Sequence, residues 1–257
     1  MKEFHVLIPA RLESTRLPEK ALADVAGKPL IVRVWERAVA SGADSVHVAT
    51  DSEAVAGAVR AAGGRVAITG SDHDSGTSRV AEAASALALA DSAIVVNVQG
   101  DEPAVPVACV RQLVELLADD PAAEMATLWA DLDAAEQWLD PNVVKLVTDH
   151  ADRALYFSRA PIPARRDGGW PADTARRHVG LYAYRADALA RWAALPRSPL
   201  AELESLEQLM PLQAGWTIRC ARAVEPVPPG VDTAEDLEAM RQRFSGEPLS
   251  CTCGDKQ

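Results

Sequence analysis

An α/β fold with a largely parallel sheet covered by helices on both faces is what this sequence predicts, and three observations carry it. Short runs rich in β-branched residues alternate with helical stretches through the first 120 residues. One of those runs, Ala93 to Gln99, is apolar almost throughout, as a central strand buried on both faces has to be. The connections between runs are long enough for crossover helices rather than hairpins.

Taken in order, His5 to Ile8 is the first strand, stopped by Pro9. Leu30 to Val39 is a helix with Pro29 at its first position. Ser45 to Thr50 is the second strand, and Glu53 to Ala62 a helix ended by Gly63 and Gly64. Arg65 to Ile68 is the third strand, Arg79 to Ala90 a helix, and Val107 to Ala118 another after the central strand. Beyond it the order is more mixed. Strands are expected at Met125 to Ala130, Val143 to Thr148, Ala154 to Phe157, His178 to Tyr184 and Trp216 to Ala221. Helices are expected at Ala186 to Ala194, Leu200 to Leu212 (with Pro199 at its start) and Thr233 to Phe244. Residues 165–170 form a loop and 227–230 a linker. The chain is expected to hold one domain over residues 1–244, with 245–257 a flexible polar tail.

With 257 residues the chain is long enough to bury a sizeable core. A hydrophobic share of 48% excludes disorder for the bulk. The net charge of −11 argues against a nucleic-acid partner, which needs a basic surface, but leaves room for a small anionic substrate held by a local cationic cluster. No export signal or membrane span is expected, since the first apolar run is cut short by Pro9. Cysteines at 109, 220, 251 and 253 do not form a disulfide framework, and a reduced cytoplasmic protein is expected.

Ligands of open parallel sheets bind beyond the carboxyl ends of the strands, so the loops at 9–28, 69–79 and 99–106 are the ones to read. The first carries Arg11, Arg16 and Lys20 with hydroxyls at Ser14 and Thr15, a set suited to a triphosphate or equally to a solvated loop. Neither a dinucleotide fingerprint nor a P-loop follows this strand. Gly100-Asp101-Glu102-Pro103, at the end of the central strand, suits a metal bridging phosphate oxygens, or a plain turn. Ser71 to Arg79 offers small donors for a base or ribose, or a helix cap. Asp232 with Glu235 has the spacing of an acidic capping box.

Together these segments resemble the CMP-Kdo synthetases (3-deoxy-manno-octulosonate cytidylyltransferases) from about Phe4 to about Phe244. The likeness rests on Ile8 to Arg11, Ser14 to Pro18, Lys20, Val48 to Asp51, Asp72-His73 with Ser75-Gly76-Thr77, Val96 to Pro103, Tyr156 to Arg159, His178, Gly180 and Tyr182, Leu206 to Leu209, and Val231-Asp232-Thr233. It implies a Rossmann-like nucleotidyltransferase core with an inserted dimerisation lobe at roughly 125–185, and a cytoplasmic homodimer without membrane attachment. The implied reaction transfers CMP from CTP to the anomeric hydroxyl of Kdo, releases pyrophosphate and activates Kdo for lipopolysaccharide biosynthesis. By resemblance Arg11, Lys20, Asp101 and Asp232 are catalytic. Pro9, Ala10, Arg11, Arg16, Lys20, Ser75, Gly76 and Thr77 bind CTP. Gln99, Arg159, His178, Tyr182, Glu207 and Gln208 face the sugar, with Arg159 on its carboxylate. Asp101 and Asp232 hold Mg2+. Ser78, Glu19 and Met210 depart from the family pattern, which expects an acid, a glycine and a basic residue there.

Three other readings compete: a CMP-sugar synthetase for 8-amino-Kdo or a sialic acid, a non-catalytic nucleotide-binding protein on this fold, and a glycosyltransferase. The last would use an Asp-x-Asp motif, spelled here only by Asp131-Leu132-Asp133 after a peripheral strand.

Overall fold

The computed structural model describes residues 2–13 and 16–246. Its elements run β1 (Phe4–Pro9), β2 (Asp24–Val25), β3 (Lys28–Pro29), α1 (Leu30–Val39), β4 (Ser45–Thr50), α2 (Glu53–Ala61), β5 (Arg65–Ile68), α3 (Gly76–Ala86), β6 (Ile94–Asn97) and α4 (Val107–Asp119). There follow β7 (Met125–Asp131), α5 (Ala135–Leu139), β8 (Lys145–Thr148), β9 (Ala154–Ser158), β10 (Arg176–Arg185), α6 (Ala186–Trp192), α7 (Pro199–Glu204), α8 (Leu209–Gln213), β11 (Ile218–Arg222) and α9 (Ala234–Ser245).

The main sheet has the order β11-β7-β10-β6-β1-β4-β5. Every neighbouring pair is parallel except those made by β10, which runs antiparallel between β6 and β7. Alternation along the strands sorts the core into two layers. Val6, Ile8, Val48 and Val96 pack with α1, α2 and α4 on one face. Leu7, Ala49 and Val95 pack with α3, α6 and the Trp192–Trp216 region on the other. Burial on both faces is the reason the strands read as continuous apolar runs. The segment 125–185 begins and ends in strands of this sheet, and the β8–β9 pair hangs from the first residues of β10.

Several boundaries differ from the sequence expectation, each for a local reason. Pro29 caps α1 from outside rather than opening it. α3 starts three residues earlier than its apolar pattern, because Ser75 and Ser78 form a reciprocal cap around Gly76. The single helix expected at 200–212 is two helices, broken where Ser205 takes a left-handed conformation (φ 51°). The capping box of α9 is Thr233 with Asp236, one residue beyond the pair the spacing suggested, so Asp232 is not the cap. Cys251, Cys253 and most of the expected tail, 247–257, lie outside the described residues, as do Ser14 and Thr15.

Candidate active site

The three loops beyond the strand ends do converge. They enclose a cleft of about 370 Å³ lined by Pro9, Ala10, Arg11 and Arg16 from the first, His73 to Gly76 from the second, and Gln99 to Asp101 from the third. Lys20, Arg79, Glu13 and Asp232 complete its wall. The amino end of α3 opens onto it at Ser75 and Gly76, a setting that favours anions.

Two glycines let the loops approach this closely. A Cβ on Gly100 would stand 2.6 Å from the carbonyl oxygen of Pro9. A Cβ on Gly230 would stand 3.3 Å from the carbonyl oxygen of Asp101. Close by, Val231 N–H donates to that same carbonyl at 2.8 Å. The apolar side of α9 (Leu237 and Met240) packs with Val231, Val25 and Leu30, which docks the distant 230–233 segment against the third loop. Asp101 and Asp232, far apart in sequence, thereby reach one cation. Lys20 Nζ donates to Asp101 Oδ2 at 2.7 Å and to Asp232 Oδ1 at 3.1 Å, and Arg16 lies 3.3 Å from Asp232.

Two carboxylates around one cation are the kind of site that magnesium uses. Among the described residues no cluster of three or more histidine, cysteine or acidic groups exists to cage a metal. Magnesium does not need one. It keeps most of its waters and binds through one or two carboxylates together with substrate phosphates. Two aspartates already gathered around a positive charge, at the rim of a cationic cleft, fit that requirement.

Other groups support the walls. Arg79 is buried and donates to Thr69 Oγ1 (2.7 Å) and Gly70 O (3.2 Å) while lying 3.3 Å from Asp51. Glu82 accepts from Gly70 N–H and pairs with His73, whose other ring nitrogen meets Ser78 Oγ. That His73-to-Ser78 contact shows what stands in place of the expected acid at 78. Glu102 is half-buried beside Asp101, and its carboxyl is pushed up to about 8 by desolvation first and the Asp101 charge second. His73 and Glu102 lie in segments that the sequence singles out but were given no role of their own; Glu82 lies outside those segments, and only the loop fold brings it in.

The expected sugar-side residues divide. Gln99 lines the cleft and donates to Asn97 Oδ1. The others lie deeper or to one side. Glu207 accepts from Ser75 Oγ and from Thr77 Oγ1 (2.9 Å), and burial pushes its pKa up. Thr77, expected among the CTP contacts, is buried behind the wall with its hydroxyl on that carboxylate rather than in the cleft. Gln208 is buried. His178 donates to or accepts from Thr127 Oγ1 at 3.0 Å, and desolvation with the nearby Arg177 charge pulls its pKa down to about 3, so the ring is neutral. It meets Phe157 edge-on and lies tilted against Tyr182. Arg159 is spread over main-chain oxygens: Nε on Glu204 O (2.6 Å), Nη1 on Pro141 O (2.9 Å) and Nη2 on Ser205 O (3.3 Å).

Comparison with known proteins gives the family. The cytidylyltransferase family model matches residues 5–218. The chain is 48% identical to a 3-deoxy-manno-octulosonate cytidylyltransferase of Halorhodospira halophila over 94% of its own length and 96% of the relative's. It is 49% identical to the protein of that name from Idiomarina loihiensis, over 93% and 97%. Among solved structures it is similar to a CMP:2-keto-3-deoxy-manno-octonic acid synthetase complexed with CTP, with a TM-score of 0.88, 43% identity and coverage of 95% and 99%.

Proposed function

Since the chain belongs to the cytidylyltransferase family, we propose that it transfers CMP from CTP to the anomeric hydroxyl of 3-deoxy-manno-octulosonate and releases pyrophosphate. The observation that carries this reading is the convergence of Asp101, Asp232 and Lys20 at the rim of the cleft, in a chain so similar to enzymes of that name. Arg11, Arg16 and the amino end of α3 supply positive potential for the triphosphate. Charge grows on the phosphate oxygens as the sugar oxygen attacks the α-phosphorus, so fixed cations do most of the catalytic work. Lys20 keeps the two carboxylates together and lines the cleft that a triphosphate would enter. Asp101 and Asp232 would hold Mg2+, which supplies Lewis acidity toward the phosphate oxygens. Ser75 and Gly76 line the nucleotide side, and Arg159 meets the sugar carboxylate, its fork geometry suiting two oxygens.

A cytoplasmic homodimer is part of the same proposal. Its support is the exposed leucines 139 and 155 (60% and 59% exposed) within the 125–185 segment. Among the described residues no helix is long and apolar enough to cross a membrane.

Purified protein incubated with CTP, Mg2+ and a panel of acidic sugars is expected to release pyrophosphate with Kdo and with no neutral sugar. Silence with every 2-keto acid sugar, from folded protein, sinks the reading. Preference for 8-amino-Kdo or a sialic acid moves it to a sister substrate. Arg159→Lys is expected to raise the KM for the sugar at least about tenfold while leaving that for CTP within about twofold, because a bidentate charged contact is lost. An equal rise in both constants makes Arg159 a structural residue.

A further inference from the structure

Among the described residues Lys145 is the only fully buried lysine, and all three of its protons go to main-chain carbonyls. Its ammonium donates to Asp140 O (2.8 Å), Val143 O (2.6 Å) and Arg159 O (2.6 Å). Burying an ammonium is costly, and here three main-chain acceptors offset that cost; an apolar side chain of the same length would leave them without a donor. What an apolar side chain cannot do is tie the turn before β8 to the end of β9. That tie has a consequence one residue further on. Pro141 O, held between Asp140 and Val143, is the acceptor for Arg159 Nη1. Lys145, the 140–143 turn and Arg159 thus form a closed ring, pinned at the main chain by Lys145 and at the guanidinium by Pro141. On the opposite side, Glu204 accepts from Ser158 Oγ (2.6 Å) and Arg159 N–H (2.8 Å), so the guanidinium stands between two walls. Lys145 is absent from the cleft wall.

We propose that Lys145 is a positioning residue for the acidic sugar: its carbonyl cage sets where the Arg159 guanidinium stands. The inference rests on the reading of Arg159 given above. A displacement of about 1 Å at a charged contact costs on the order of a hundredfold in the worst case, and a partial loosening correspondingly less.

The test is Lys145→Met, assayed with CTP and Kdo. The KM for Kdo is expected to rise about tenfold, with the CTP KM within about twofold and kcat within about threefold. In an Arg159→Lys background the same substitution is expected to change the Kdo KM less than about twofold, because the group being positioned is already gone. A plain packing role would instead disturb both substrates alike and add to Arg159→Lys in full. Any of those results overturns the proposal, as does a Lys145→Met enzyme with ordinary kinetics. Should Lys145→Met fail to fold, Lys145→Gln, which keeps two donors, is read by the same criteria. If neither folds, Lys145 is a folding residue and the proposal fails. Wild-type turnover measured alongside separates the two layers: no turnover removes the assigned reaction, whereas normal turnover with an indifferent Lys145→Met removes only this inference.

Discussion

Asp232→Asn is expected to lower turnover on the order of a hundredfold or more while melting within about 1–2 °C of the unaltered protein. The side chain is 45% exposed, and its partners are Lys20 and Arg16 across the cleft rather than the backbone of α9. Exposed ion pairs contribute little to stability, typically about 0–1 kcal/mol. What the amide lacks is the negative charge that Mg2+ requires. The helix cap is a separate function performed by the next residue. Thr233→Ala removes the hydroxyl that accepts from Asp236 N–H, and is expected to cost about 0.5–2 kcal/mol of stability. The two adjacent substitutions should therefore give opposite patterns: lost activity with normal melting at 232, lowered melting at 233. Activity assays over a magnesium titration, beside thermal melts, read both. Ordinary turnover by Asp232→Asn at ordinary magnesium would falsify the metal role.

Gly100→Ala is expected to damage both stability and catalysis. The added methyl meets backbone, not a side chain that can swing away: the Pro9 carbonyl oxygen would be 2.6 Å off. Relief requires the first and third loops to separate, and these carry Arg11 and Lys20 on one side and Asp101 on the other. Overpacking of this kind costs about 1–3 kcal/mol. In a chain of this size each kcal/mol lowers the Tm by roughly 2–4 °C. Misplacing the reacting groups by about 1 Å costs on the order of a hundredfold in rate. A Gly100→Ala enzyme with native melting and native kcat/KM contradicts the close approach seen here. Gly57, whose added Cβ would meet nothing within 4 Å, is the control position.

Most of the parallel core was legible in the sequence, because strands buried on both faces have to be apolar throughout and need no tertiary information to be seen. Ser45 to Thr50 and Arg65 to Ile68 have the expected bounds. What failed were features set by single side chains. The start of α3 follows from Ser75 meeting Ser78, and the break at Ser205 from one left-handed residue, neither of which alters apolar periodicity. In the site, Arg11, Lys20 and Asp101 announce themselves as charged residues in loops after strands. The capping-box spacing at Asp232 and Glu235 pointed to the wrong acid, because Thr233 and Asp236 offer the same spacing one residue later. The resemblance singled out Asp232, and the docking of α9 shows that it is this acid that faces the cleft. The burial of Thr77 and the carbonyl anchoring of Arg159 had no sequence signal, since both depend on α7 and α8 lying beside α3 and β9.

The position of β10 also imposes an order on chain growth. β1, β4, β5 and β6 lie within residues 4–97 and pair in an unbroken parallel row. They can assemble as soon as they leave the ribosome, although parallel ladders close slowly. β7 and β11 reach that row only through β10. Until residues 176–185 emerge, the apolar edge of β6 has nothing beside it, and a bare strand edge invites pairing with another nascent copy. The hazardous interval is therefore the synthesis of residues 98–175. Chains that end before Arg176 are the ones that should aggregate, and β10 zipping in between β6 and β7 is the event that ends the exposure.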